Sequence, residues 1–189
     1  MKRLLAVALL CLALTGCDDS LFTSGEKGFV SGDGAVTIVP VADRAVPEPI
    51  EGASPINGET LDGRQLSLDD YRGKTVVIPV WGSWCGPCRQ EGPMLAAAAA
   101  DLADDGVAFF GINSRDNSVE NAQKFVKNVG ITYPSIYNPT GSLLLSFQAG
   151  LTPLSIPSVV FVDAEGRVAA AVSGPISRTT LYDVIEEIA

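Results

Sequence analysis

Cys85 and Cys88, in the stretch Trp81 to Pro93 (WGSWCGPCRQEGP), are two thiols separated by Gly86 and Pro87 in a chain of 189 residues that has no histidine. Sulfurs at this spacing can supply half of a metal site, close a structural disulfide, or carry electrons by opening and closing one. A structural zinc takes about four ligands, mostly Cys and His, and this chain offers one pair. Zinc is therefore a poor fit, and copper held by cysteine plus histidine fails for the same reason. A disulfide between residues three apart closes a very small loop, so it constrains the unfolded chain little and staples poorly. The pair reads best as a redox dithiol that needs neither metal nor cofactor.

That chemistry depends on what flanks the pair. Thr75 to Trp81 is a short, β-branched apolar run bounded by turn residues, which predicts a buried strand. A helix is predicted from the cysteines through the alanine-rich Met94 to Ala103, stopping before Asp105-Gly106. A strand ending and a helix beginning at the pair put Cys85 at the helix N-terminus, where unpaired N–H groups and the helix dipole stabilise a thiolate. A thiol lowered from about 8.5 to about 7 is roughly half ionised at neutral pH, more than about tenfold the free value. Cys85 is thus the expected nucleophile. Cys88, one turn further in, is expected to be the more buried and to close the disulfide. Pro87 suits the first helical turn, where a missing N–H costs little.

From Ile56 the chain is regular. Asp62-Gly63 between two short segments signals a hairpin, and Asp69 to Tyr71 predicts one helical turn. Val107 to Asn113 reads as a second buried strand, and Ser118 to Asn128 as a helix closed by Gly130. Ile131 to Gly150 holds an extended piece, a turn at Asn138-Pro139 and a small helix over Ser142 to Gln148. Two strands joined at Ala164 to Gly166 and a last helix over Ser177 to Ile188 complete the chain. The order is β-α-β-α, an insert, then β-β-α: an α/β fold with a central sheet flanked by helices.

Thirteen basic against 22 acidic side chains give a net charge of -9, which argues against a nucleic-acid groove. Lys2 and Arg3 precede an apolar run, Leu4 to Leu14, with the layout of a secretory signal and too short to span a bilayer comfortably. The run closes on Leu14-Thr15-Gly16-Cys17, which resembles the bacterial lipoprotein box, whose cysteine becomes the lipid-modified first residue of the mature chain. Residues 1–17 are thus expected to be a signal peptide with Cys17 lipidated, and the remainder to lie outside the cytoplasm. Losing Lys2 and Arg3 takes the charge from -9 to -11. With Cys11 inside the leader and Cys17 in the box, the mature domain keeps one dithiol. Residues 18–55, rich in Gly, Ser, Asp and Pro, read as a flexible tether with a short strand at Ala35 to Val39; residues 56–189 form the domain.

The active stretch, the upstream LDGRQLSLDDYRGKTVVI (Leu61 to Ile78) and the insert VGITYPSIYNPTG (Val129 to Gly141) together resemble the TlpA and ResA branch of the thioredoxin superfamily, over about Ile56 to Ala189. The resemblance implies a thioredoxin-like fold with an N-terminal β-hairpin and a TlpA-type insert, and a membrane-tethered disulfide reductase. By the same resemblance Cys85 is the attacking cysteine, Cys88 the resolving one and Trp84 the tryptophan beside them. Pro157 would follow a cis peptide bond facing the dithiol, leaving the Ile156 backbone to pair with an extended substrate segment. Glu91 matches an active-site glutamate; a carboxylate held near the thiols would resist their ionisation and could carry the proton of Cys88. Read without the resemblance, Glu91 is a surface carboxylate on a helix and Pro93 a kink. Where relatives often have a buried Asp or Asn, six residues before Cys85, this chain has Pro79.

Gly-Pro between the cysteines resembles the reducing thioredoxin pattern at about -270 mV, against about -120 mV for the oxidant DsbA, a gap of roughly 7 kcal/mol. The expected role is reduction of disulfide-containing proteins, apocytochrome c in cytochrome c maturation being favoured, by a monomer recharged by a membrane donor of the CcdA or DsbD type. Two alternatives share the fold: an oxidase that forms disulfides in exported proteins, and a peroxiredoxin-like antioxidant. The latter's usual Pro-x-x-x-Thr-x-x-Cys pattern is absent.

Overall fold

The computed structural model describes residues 33–48, 56–147, 149 and 151–189. The leader, the box ending in Cys17 and residues 18–32 lie outside the described residues.

The strand predicted at Thr75 to Trp81 is the hub. This strand, β4 (Thr75–Trp81), is buried from Val76 onward and is paired on both edges. On one side it runs parallel to β5 (Val107–Phe109) and then to β6 (Gly111–Ser114), which continues parallel to β7 (Ser135–Asn138). On the other it runs antiparallel to β8 (Ser158–Val162), followed by β9 (Val168–Ser173) and β1 (Ala35–Ile38), both antiparallel. The sheet order is β1-β9-β8-β4-β6-β7 with β5 beside β4. The hairpin signalled by Asp62-Gly63 forms as β2 (Asn57–Glu59) and β3 (Gln65–Ser67), and a Thr60 to Ile136 bridge ties it to β7.

Successive strand residues point to opposite faces, and the core divides accordingly. Val77, Trp81, Val159, Phe161, Ala170 and Val172 face the helices α1 (Gly86–Asp101), α2 (Val119–Val129) and α3 (Arg178–Ile188) through Leu95, Phe125, Leu181 and Val184. Val76, Ile78, Val80, Ile112, Val160 and Val162 face the other way, under Leu66 and Leu68 of the hairpin side and Leu144 and Phe147 of the insert. The small helix expected in the insert forms as a 3-10 turn at Ser142–Phe147. Ser118 and Ser177 cap α2 and α3 with side-chain oxygens, and Gly130 closes α2 in the left-handed conformation.

Two features depart from the sequence reading. The predicted strand Val107 to Asn113 is interrupted at Phe110, so β4 pairs with β5 as far as Val77 and with β6 from Val80. Pro79 falls in that gap, which explains how a residue without an N–H sits in a central strand. The second departure concerns residues 33–48, which sequence reading gave to the tether. The short strand noted there pairs with β9's outer edge from Ala170 to Ser173, covering backbone groups that would otherwise stand open. Its polar, glycine-containing flanks hid how much of this segment belongs to the domain.

Gly92, in the interior of α1, is buried, and a Cβ there would run into Val129 Cγ1 at the end of α2. Alanine would gain about 1 kcal/mol of helix propensity, but overpacking costs about 1–3 kcal/mol. Gly92→Ala should therefore lower stability by up to about 2 kcal/mol, read as a reduced urea midpoint of the oxidised protein.

Candidate active site

β4 ends at Trp81, whose indole stacks on Phe125 with ring centroids 4.8 Å apart and donates to Ser135 Oγ at 3.3 Å. The chain then turns within three residues, Cys85 N–H donating to the Gly82 carbonyl at 3.0 Å, and enters α1. Cys85 is the residue capping α1: its Sγ accepts the Cys88 N–H at 3.1 Å, the place a serine or aspartate oxygen usually takes. Pro87 lies in the first turn as expected. Cys85 and Cys88 form a disulfide with Cα atoms 5.3 Å apart. Both are buried, 4% and 2% exposed, so Cys88 is not distinctly the deeper of the two in this state. Both cysteines belong to the same apolar cluster.

Glu91, one turn beyond Cys88, is not the surface carboxylate of the plain reading. It is 8% exposed, and its Oε2 accepts a single backbone N–H, from Ile176, at 3.2 Å. Burial raises its pKa from 4.5 to about 7, the Ile176 bond pulling weakly the other way. Tyr133 is the neighbouring ionisable group: burial first, and then the Glu91 charge, push its hydroxyl well above the usual range.

Ile156-Pro157 is a cis peptide. Because Val80 pairs with Ser158, Pro157 comes beside the end of β4, at the edge where the dithiol turn begins. The Ile156 N–H is turned inward onto the Leu154 carbonyl at 2.9 Å in a tight turn, so it is not open to pair with an extended segment. Trp84 stands 51% exposed next to the disulfide.

Sequence reading missed what holds Trp84 and the turn. Asp116, in the loop between β6 and α2, is 4% exposed. Its carboxyl accepts the Ser83 N–H at 2.8 Å, Asn113 Nδ2 at 2.6 Å and the Ser83 hydroxyl. Arg115 beside it has φ 57°, in the left-handed region that non-glycine residues rarely enter. That conformation turns its carbonyl onto Trp84 Nε1 at 3.1 Å and sets its guanidinium 5.7 Å from the Trp84 ring. Gly82 completes the seat, because a Cβ there would lie 2.6 Å from Trp84 Nε1. Arg89 closes the other side, donating to the Ser83 carbonyl at 3.2 Å. The available signal was the polar stretch Asn113 to Ser118 directly after a buried strand, at the carboxyl end of a parallel pair, where sites gather in such sheets.

A half-exposed turn carrying a disulfide on a helix N-terminus, with a protonatable carboxyl one turn behind it, is equipped for thiol-disulfide exchange on a thioredoxin-type sheet. Residues 51–171 match the model of the AhpC/TSA family, and the chain belongs to that family. It is 30% identical over 128 residues to the thiol-disulfide oxidoreductase ResA of Geobacillus thermodenitrificans, covering 68% of this chain and 71% of that one. Among solved structures it is similar to a DsbF homologue from Corynebacterium diphtheriae (TM-score 0.72, 35% identity, 84% of this chain and 96% of that one). It is also similar to a secreted thiol-disulfide isomerase from Corynebacterium glutamicum (TM-score 0.69, 33% identity, 82% and 93%). The protein is a thiol-disulfide oxidoreductase with the thioredoxin-like fold. Among the described residues no group of His, Cys, Asp or Glu is placed to hold a metal ion, and no helix is long and apolar enough to cross a membrane.

Asp116→Ala leaves the Ser83 N–H and the Asn113 amide without their acceptor, at about 1–3 kcal/mol for each buried donor. The variant should unfold at lower urea, and Trp84 should gain mobility in fluorescence anisotropy read in a Trp81→Phe background. For Glu91, the unfolded chain releases its proton near 4.5 and the folded one near 7. Between these values the folded state binds more protons, so stability is fully present below pH 4.5 and is lost as pH rises through 7. The loss approaches about 3 kcal/mol. Denaturation of the oxidised protein at pH 5 and pH 8 should show this fall, and Glu91→Gln should flatten it.

Proposed function

We propose that this protein is a lipid-tethered disulfide reductase working outside the cytoplasm, with apocytochrome c as its favoured substrate. The observation that carries the reading is the Cys85–Cys88 disulfide at the start of α1 with Glu91 buried one turn behind it, near neutrality in pKa. The extracytoplasmic assignment is supported by the leader ending at Cys17 and by relatives that include a secreted isomerase. The Gly-Pro dipeptide supports the reducing direction.

In the forward reaction the Cys85 thiolate attacks one sulfur of a substrate disulfide. A Cys85–substrate bond forms, the substrate S–S bond breaks, and the departing thiolate takes a proton from solvent. Glu91 accepts the Cys88 proton; the Cys88 thiolate then attacks Cys85 Sγ and expels the second substrate thiolate. Two electrons pass to the substrate, and the protein is left as the disulfide described above. Trp84 and the Ile156 carbonyl beside Pro157 form the surface that meets the substrate chain. A membrane donor of the CcdA or DsbD type returns the two electrons. Neither metal nor cofactor enters the cycle.

Equilibration with glutathione should place the potential near the thioredoxin value of about -270 mV; a value close to about -120 mV would make the protein an oxidase. Cys88→Ser should hold Cys85 in mixed disulfides with envelope proteins. Recovery of apocytochrome c supports the cytochrome role, and a set of captured proteins without haem-binding cysteine pairs overturns it.

A further inference from the structure

The loop between β9 and α3, Gly174 to Ser177, touches three things at once. Ile176 N–H donates to Glu91 Oε2 at 3.2 Å, and Gly174 N–H donates to the Pro157 carbonyl at 2.9 Å. On its outer side it is gripped by the segment that enters β1. Gly34 N–H donates to the Pro175 carbonyl at 2.6 Å. One oxygen of Asp33, Oδ2, accepts both the Ser177 hydroxyl at 2.9 Å and the Thr180 hydroxyl. Ser177 is the cap of α3, so Asp33 braces the cap from outside while Ser177 Oγ accepts the Thr180 N–H. The crossing is close: a Cβ at Gly34 would lie 2.7 Å from the Gly174 Cα and would run into the Ser173 carbonyl. Only glycine at both places lets the two backbones meet.

We propose that the arm of residues 33–39 belongs to the catalytic apparatus, with Asp33 and Gly34 as positioning residues that press the Gly174 to Ser177 loop onto Glu91 and Pro157. The arm is clamped at one end by these contacts and along its length by pairing with β9. The loop carries no charge of its own, only the Ile176 N–H. The groups facing Glu91 are therefore that N–H, Tyr133 from the segment before β7, and the cysteine pair one turn earlier on α1. Asp33 lies beyond the loop and acts on Glu91 only through it. With the arm loosened, the loop lifts, the Ile176 bond lengthens and water reaches the carboxyl. The lost bond raises the carboxyl's pKa and hydration lowers it, so the Glu91 midpoint moves when the loop does.

The test is made on the full chain in its oxidised form, with Glu91 followed by carbon-13 NMR and the Ile176 amide by nitrogen-15 NMR. In Asp33→Ala the Glu91 midpoint should shift from the parent value and the Ile176 amide resonance should move with it. Asp33→Asn keeps one oxygen able to accept both hydroxyls, so it should retain the parent midpoint. An unchanged midpoint in Asp33→Ala, with α3 frayed or intact, overturns the proposal. So does an Asn variant that behaves like the Ala one, since charge and not the clamp would then be responsible. The kinetic consequence rests on the proton-carrying role proposed for Glu91, and it separates cleanly. If Glu91→Gln alters no exchange rate while Asp33→Ala still moves the carboxyl midpoint, that role fails and the clamp stands.

Discussion

Everything at this site follows from β4 being paired on both edges and buried on both faces up to its last residue. A strand so confined cannot shift its register without moving the whole core, so the point where it ends, at Trp81, is fixed. The chain must then leave the sheet within the few residues Gly82 to Trp84, and the first N–H groups of α1 are delivered at that point. The antiparallel neighbour β8 begins level with the same point, which is why the cis peptide at Pro157 and the disulfide occupy one edge. Site geometry here is a consequence of strand pairing, with the loop between β6 and α2 added as a lock.

The same strand explains where the ionisable group of the site sits. Pro79 lies on the helix-facing side of β4 and brings no ionisable group there, and the break at Phe110 makes the proline tolerable. The buried carboxyl beside the cysteine pair is then carried by α1, at Glu91, rather than by the sheet. A group on a strand is held by the ladder. A group on a helix is held by whatever packs across it, which here is one backbone N–H from a loop. Burial, with no cation partner among the described residues and opposed by that bond, is what leaves the carboxyl near neutrality.

The elements that make the core were legible in the sequence because their signals are local. The apolar run of β4, the caps Ser118 and Ser177 and the glycine stop of α2 each state their own boundary. The cysteine pair was legible because elimination needs only composition and spacing. What could not be read were relations between distant segments. Asp116 sits 33 residues from Ser83, and Ile176 sits 85 residues from Glu91. Without the family resemblance Glu91 read as a surface residue, because Arg89 and Gln90 beside it are polar; the Ile176 N–H that reaches it comes from the loop before α3. The β1 arm was underestimated for the same reason, since its partner, β9, lies more than a hundred residues away.

Membership in the AhpC/TSA family settles the fold and leaves the chemistry to the site, because one fold serves several reactions. The usual peroxiredoxin pattern sets proline seven and threonine three residues before the nucleophile; this chain has Ile78 and Gly82 there. Gly82 is in turn required by the Trp84 indole that lies against it. A threonine at that position would displace the indole, so the seat of the exposed tryptophan and the threonine of a peroxidase site exclude each other in this turn. The second sulfur, three residues on and already joined to the first, then gives the electrons their outlet inside the pair, and exchange with another disulfide is the reaction this geometry serves.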